Sequence, residues 1–338
     1  MSRSSFHKLQ IFGLSAIALG TLYSCAAPPE KTAENGEKPG KSTPPPIVEK
    51  KPEPPKIRYV KPEKVKGIYV TAWTAGGQKR MEQLLKLLDD TELNAMVIDI
   101  RDSGEMYFDT GIPLAKEVGA NQIGVVNPKA LMDRLEKRGV YPIARVACFR
   151  DVFVPKKMPD RGVQLPDGRT WKDHSGHSWL DPYNKKNWEY IADTVNYALD
   201  LGFPEIQLDY VRFPSEGKSS TQRFPAKKDY PDQKAKPEDV IAEFAKYIGE
   251  KVRAKGAVYS ADIFGIISSG TKDQGIGQAL EKIAEPFDLV CPMVYPSHYA
   301  RGEYGIPNPN ASPYAIIKKS LGDFKKRIPK KSVRPWLQ

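Results

Sequence analysis

Glu205-Ile-Gln-Leu-Asp-Tyr-Val-Arg-Phe213 follows a helical pattern over 184–201 that stops at Gly202. Within it Ile206 and Leu208 alternate with Gln207 and Asp209, the period of two that separates the faces of a β-strand. A strand that comes straight after a helix, with glycine at the helix's C-terminal boundary, is half of a βα unit. The same unit recurs on both sides. Upstream, KGIYVTAW (66–73) precedes an amphipathic helix over 79–92, NAMVIDIRD (94–102) precedes a helix over 127–138, and VYPIARVACF (140–149) precedes the helix of 184–201. Downstream, a helix over 236–255 leads to AVYSADIFG (257–265), one over 276–284 to DLVCPMVYP (288–296), and one over 312–327 to SVRPWLQ (332–338). Seven strands, the first six each followed by a helix, specify a parallel sheet with right-handed crossovers. With no nucleotide-type Gly-rich loop after the first strand, closure into an α/β (β/α)8 TIM-type barrel is favoured over an open doubly wound sheet. The sequence ends on the seventh strand. The barrel is therefore expected to lack its last strand and helix in this chain, or to close in another way.

Composition allows a core of that size, since 40% of the 338 residues are hydrophobic. The formal charge of +11 is spread out, with +2 on residues 1–25, +4 on 26–66 and +5 on the remainder. So mild a balance does not demand a nucleic-acid partner, and none is expected. Cys25, Cys148 and Cys291 lie far apart with no metal-type spacing. Cys148 and Cys291 sit in apolar runs and read as buried hydrophobes.

The first 25 residues read as an address. Arg3, His7 and Lys8 precede an apolar stretch from Ile11 to Tyr23, too short for a spanning helix and of signal-peptide shape. Leu22-Tyr23-Ser24-Cys25 resembles the bacterial lipobox, which implies cleavage before Cys25 and a lipid on it, and so an exported, membrane-anchored lipoprotein of the cell envelope. From 26 to 66 the composition changes, with ten of the chain's 30 prolines among Lys and Glu. Such a segment buries too little apolar surface to order itself and reads as a disordered tether. The barrel domain is then 67–338.

In a barrel, alternate strand residues face the lumen and the active site lies at the C-terminal strand ends. The alternation points Gln207 and Asp209 inward from the fourth strand, and Asp99 and Arg101 from the second. Arg145 comes from the third, Ser260 and Asp262 from the fifth, and Met293 and Tyr295 from the sixth. Tyr69 and Trp73 come from the first, and Trp336 and Gln338 from the seventh. A buried Asp with an Arg partner is commonly a structural ion pair, and Asp99 with Arg145 fits that description too. Polar groups converging from five strands, however, are more than structure alone requires. Two carboxylates flanking a sugar can protonate the leaving oxygen and attack or stabilise the oxocarbenium-like centre. Asp209 and Asp262 are the best such pair, with Asp209 as nucleophile or base beside arginines and Asp262 as acid, a glutamate from strands beyond Gln338 being the alternative in that role. Trp73, Tyr295 and Trp336 offer aromatic faces for sugar rings. Trp171, Asp173, His174 and His177, on the long loop after the third strand, are placed to line the cleft. His174 and His177 stand at i and i+3 without further ligands, so neither a metal nor another cofactor is expected.

VKGIYVTAW, NAMVIDIRDSGEM, WLDPYN and above all QLDYVRFP, followed by YSADIFG and CPMVYPSHY, resemble a bacterial domain family of unassigned chemistry that is classed with glycoside hydrolases and expected to form a TIM barrel. The resemblance covers roughly 66–338 and implies a carbohydrate-active barrel. Met-x-Tyr in the sixth strand also resembles chitinase-like barrels, but their DxxDxDxE signature is absent and Gln207-Leu-Asp209-Tyr210 stands in its place.

The sequence therefore reads as a glycoside hydrolase acting on an envelope or extracellular polysaccharide. Asp209 and Asp262 are its carboxylates, and Trp73, Asp99, Arg101, Arg145, Gln207, Arg212, Tyr295 and Trp336 bind substrate. The alternative is a non-catalytic glycan-binding surface lipoprotein. A nuclease or esterase finds no support, since there is neither a G-x-S-x-G elbow nor an acidic metal cluster. Mass spectrometry of the mature protein is expected to find Cys25 as a lipid-modified N-terminus. An intact Met1, or cleavage well beyond Cys25 without lipid, contradicts this.

Overall fold

The computed structural model describes residues 58–338. Cys25 and the signal-peptide reading lie outside them, as does most of the tether. In chain order the strands are β1 (Gly67–Val70), β2 (Ala95–Asp102), β3 (Glu105–Phe108), β4 (Asn121–Val125), β5 (Tyr141–Ala147), β6 (Glu205–Asp209), β7 (Val258–Phe264), β8 (Leu289–Met293) and β9 (Ser332–Val333). The helices are α1 (Ala72–Gly76), α2 (Gln78–Asp89), α3 (Pro113–Val118), α4 (Pro128–Lys137), α5 (Val154–Lys157), α6 (Lys185–Leu201), α7 (Pro237–Ala254), α8 (Leu280–Ala284) and α9 (Pro313–Arg327).

Seven parallel strands run in sequence order, β1-β2-β5-β6-β7-β8-β9, with helices in the crossovers. This is the (β/α)-barrel order expected from the sequence. Among the described residues no ladder joins β1 to β9, so the sheet stays open between them. The strands divide the interior in two. Outward residues such as Ile98, Val146, Ile206 and Leu208 pack with Ile191 and Phe244 of the helical layer. Inward, Ala95, Val97, Tyr141 and Ile143 form a second cluster, against which Tyr59, Val65 and Trp336 pack.

That inner cluster corrects the tether boundary. Arg58 pairs with Asp133 and Glu136 of α4, the Tyr59 hydroxyl donates to the Met132 carbonyl at 2.7 Å, and Lys64 and Lys66 bond Asn94 through their backbones at 2.9 Å each. Residues 58–66 are thus part of the fold. Two apolar side chains in a charged stretch, Tyr59 and Val65, are what order them.

Between the second expected strand and the helix of 127–138 the sequence reading placed no structure, yet β3 and β4 form a short arm there. Asp102 pairs with Glu105 across a two-residue turn, Ser103-Gly104, in which both residues have positive φ (49° and 92°). That is the twist a tight hairpin favours. A Cβ on Gly104 would sit 2.7 Å from the Asp151 carboxyl, so glycine is required twice over.

The departure with most consequence is a bulge in β2. Asp99 aligns with Arg145, but Arg101 then aligns with Val146, so β2 carries one extra residue. Beyond it the alternation is reversed. Arg101, expected in the lumen, faces the helical layer and is wholly buried. Its guanidinium donates to the Ala147 and Cys148 carbonyls and to Asp151, and lies 5.4 Å from the Tyr190 ring. Asp102 takes the inward position instead. The first strand is also shorter than expected. The Thr71 side chain accepts from the Thr74 N–H and starts α1, so Trp73 stands on a helix, 56% exposed, edge-on to Tyr107 at 6.0 Å.

Replacing Arg101 with methionine would leave the Asp151 carboxylate buried without its ion pair. Arg101→Met is expected to lower the unfolding free energy by about 3–5 kcal/mol in chemical denaturation. Adding Asp151→Asn is expected to recover part of the loss.

Candidate active site

The inward residues at the C-terminal strand ends border a cavity of about 870 Å³. Tyr69, Asp102, Arg145, Asp209, Asp262 and Trp336 line it, with Arg150, Tyr295 and Arg334. It also extends along the unpaired side of β1 past Gly67 and Ile68.

Arg145 is its centre. Its Nε and Nη2 donate to Asp209 Oδ2 at 3.0 and 2.6 Å, and its Nη1 donates to Asp99 Oδ1 at 2.5 Å. Asp102 Oδ1 stands 3.4 Å from Nη1 and also takes a bond from Arg150 Nη2 at 3.2 Å. Burial would lower the Arg145 pKa, but the charges of Asp209, Asp99 and Asp102 outweigh it and hold it well above the ordinary value. Asp99 is pushed up by burial, against the opposing pull of Arg145 and the Tyr69 hydroxyl that donates to it. Asp102, less enclosed, is also raised by burial but ends below the usual range because Arg145 and Arg150 prevail.

Asp262 lies on the neighbouring strand. Leu208 of β6 aligns with Ala261 of β7, so Asp209 and Asp262 follow at the next step, on strands about 4.8 Å apart. Among the described residues no arginine bonds Asp262. Its Oδ1 accepts from Gln207 Nε2 at 2.7 Å and from Trp336 Nε1 at 2.6 Å. Burial and then the charge of Asp209 push its pKa up to about 8, against the smaller effects of Arg145 and the two N–H donors. Two carboxyls side by side thus have opposite surroundings, one in an ion pair and the other buried among neutral donors. An acid and a nucleophile or base require such a split.

Residues 67–338 match a family described as "Putative glycosyl hydrolase domain". The chain belongs to that family. A hypothetical protein from Ruminiclostridium thermocellum ATCC 27405 is similar at 33% identity over 58% of this chain and 96% of that one, with a TM-score of 0.52. The PgaB (BpsB) glycoside hydrolase domain from Bordetella bronchiseptica is 13% identical over 80% of this chain and 93% of that one, TM-score 0.54. The Flavobacterium johnsoniae chitobiase is 12% identical over 81% of this chain and 38% of that one, TM-score 0.52. At such identities the last two show a shared fold. A comparison with curated proteins gives no match.

Within this glycosyl hydrolase family domain, Asp209, Asp262, Arg145, Tyr295 and Trp336 meet at the cavity as the strand alternation requires. Asp99 and Gln207 point inward but lie beneath the cavity wall, behind Arg145 and Asp262. Three residues expected at the mouth are elsewhere. Arg101 and Trp73 are displaced by the bulge and by α1. Arg212 lies past the end of β6, where Tyr210 takes a positive φ of 49° and turns the chain. Its guanidinium lies over Phe264, Trp179 and Tyr210, 4.6–5.1 Å from the ring centres, and burial lowers its pKa to about 10. The long loop is likewise built for itself. Asp173 accepts from the Trp179 indole and from the backbone of Ser175 and His177, and Trp171 is buried. Neither lines the cavity, nor do His174 and His177.

Three residues were missed. Asp102 is hidden by the bulge. Arg150 lies one residue beyond the expected third strand. Arg334 was legible, since the alternation that points Trp336 inward points Arg334 inward too.

The raised carboxyls set a pH dependence of stability. Asp262 titrates near 8, and the buried Asp181, which accepts from the Tyr183 and Ala226 N–H groups, near 7. Between about pH 4 and these values the folded chain binds protons that the unfolded chain has released, so stability declines as pH rises. The melting temperature of the wild type is expected to fall relative to that of Asp262→Asn between pH 5 and 9. A constant difference would mean that Asp262 is not raised.

Proposed function

We propose that this domain hydrolyses glycosidic bonds of an envelope or extracellular polysaccharide, with Asp262 as general acid and Asp209 as nucleophile. One observation carries the reading: an enclosed carboxyl raised to about 8 stands beside one ion-paired to arginine, at the mouth of a barrel of a glycosyl hydrolase family. At neutral pH Asp262 holds a proton to give, and Asp209 faces the centre where positive charge develops.

In the first step the Asp262 proton passes to the glycosidic oxygen and the bond from that oxygen to the anomeric carbon breaks. An Asp209 oxygen forms the new bond to the same carbon. Water then attacks that carbon, gives its proton to Asp262 and releases Asp209 as carboxylate. Neighbouring parallel strands suit the roughly 5–5.5 Å carboxyl spacing of retaining enzymes. Retention is therefore the expected outcome, and inversion would recast Asp209 as a base activating water. Arg145 holds Asp209 in place, and Tyr69, Tyr295 and Trp336 offer rings on which sugar faces can rest. We propose further that the domain works outside the cytoplasm, held to a membrane by a lipid on Cys25 through the segment that follows it.

The test is release of reducing sugar across a panel of glycans. Asp209→Asn and Asp262→Asn are each expected to lower turnover by orders of magnitude with binding largely kept, and kcat is expected to fall as pH rises through about 8. Binding to a glycan with no turnover by the wild type would favour the non-catalytic alternative. Full turnover by Asp209→Asn would remove it from the chemistry.

A further inference from the structure

Arg334 follows β9 and reaches across the barrel to β6. Its Nη1 and Nη2 donate to Glu205 at 3.2 and 2.5 Å, and its Nη2 also donates to Gln207 Oε1 at 2.7 Å. Glu205 is otherwise bonded by the Ser260 hydroxyl at 2.6 Å. Gln207 is fully buried between these groups and Asp262. An amide can in principle flip, exchanging its donor and acceptor ends. Arginine has no acceptor, so with its guanidinium on Oε1 only one orientation survives. That orientation turns Nε2 toward Asp262 Oδ1. Trp336 donates to the same oxygen, and an indole N–H can only donate. Both donors at Oδ1 are thus irreversible. The proton of Asp262 has one position left, Oδ2, which has no bond to any described residue, on a side chain that lines the cavity.

We infer that Arg334, Gln207 and Trp336 are positioning residues that decide which oxygen of Asp262 carries the proton and that receive the charge left on its departure. The inference rests on Asp262 being the acid. When the proton passes from Oδ2 to the leaving oxygen, negative charge spreads to Oδ1, where two N–H groups already point. Burial and the neighbouring carboxylate make Asp262 reluctant to ionise. The two donors offset part of that reluctance and keep it an acid that can still release its proton near neutral pH. Were Arg334 present only to neutralise Glu205, neither the amide nor the indole would need to converge on one oxygen.

The test is a pH titration of Asp262 by 13C NMR of the aspartate-labelled full chain without substrate, its resonance assigned by loss in Asp262→Asn. Three variants remove parts of the device: Gln207→Leu, Trp336→Phe, and the charge-balanced pair Glu205→Gln with Arg334→Met. Trp336→Phe keeps an aromatic ring, so it serves where a buried substitution fails to fold. Each folded variant is expected to raise the Asp262 midpoint by about one pH unit, the usual effect of losing a hydrogen bond to the charged form. On a cleaved glycan, the alkaline limb of kcat is expected to move up by the same amount while its plateau falls. Midpoints unchanged in folded Gln207→Leu and Trp336→Phe would overturn the inference. A midpoint that moves without the limb would instead count against Asp262 as the acid.

Discussion

Everything at the mouth of this barrel depends on one guanidinium. Arg145 rises from β5, and the strands on either side bring carboxylates to it, Asp99 and Asp102 from β2 and Asp209 from β6. Three acids cannot be enclosed together without a cation, because their mutual repulsion adds to the loss of hydration. Arginine suits the position because its planar fork presents donors in several directions at once and keeps its charge when buried. A lysine would supply the charge but not the geometry. The same contacts that make the cluster tolerable also hold Asp209 rigidly, so the stability of the interior and the order of the site are one property.

Beyond the hydrogen-bonding reach of that guanidinium the interior changes character. Asp262, one strand further round, meets an amide and an indole instead. Identical side chains are thus made chemically different by what stands on the next strand. This division follows from sheet geometry, since each inward position has neighbours only on the two adjoining strands and at the layers above and below. The lower layer repeats the arrangement with Glu205, Ser260 and Arg334, which ties β9 to β6 by side chains where the backbone ladder cannot reach.

Most of the architecture was legible in the sequence, because it is written in repeated signals. The helices of 185–201 and 237–254 fall within two residues of the apolar periods that announce them, and Gly202 ends the first with a φ of 98°. The inward pointing of Arg145, Asp209, Asp262 and Trp336 needed only the period of two. What escaped was whatever breaks a period. The bulge in β2 leaves no compositional trace, so Arg101 was assigned to the wrong face and Asp102 was missed. The helix that takes Trp73 is five residues long, below the length at which periodicity can be read. Arg212 and the loop from Trp171 to His177 were drawn toward the site by residue type alone, and the partner they share, Trp179, lies in a segment without regular pattern.

The bulge also bears on how this interior can change over time. Substitutions alter one contact each, but the side of the sheet on which a charge emerges from β2 is a matter of counting. Add one residue near Ile100 with the bulge kept and the arginine swings into the lumen while Asp102 swings out, which exchanges a negative group for a positive one at the mouth without altering any codon for a charged residue. The outer face would meanwhile lose the partner of Asp151. Length variation in this strand is therefore the change that the site is least able to absorb, and the surrounding loops, which carry none of its cavity-lining acids, are where insertions can accumulate.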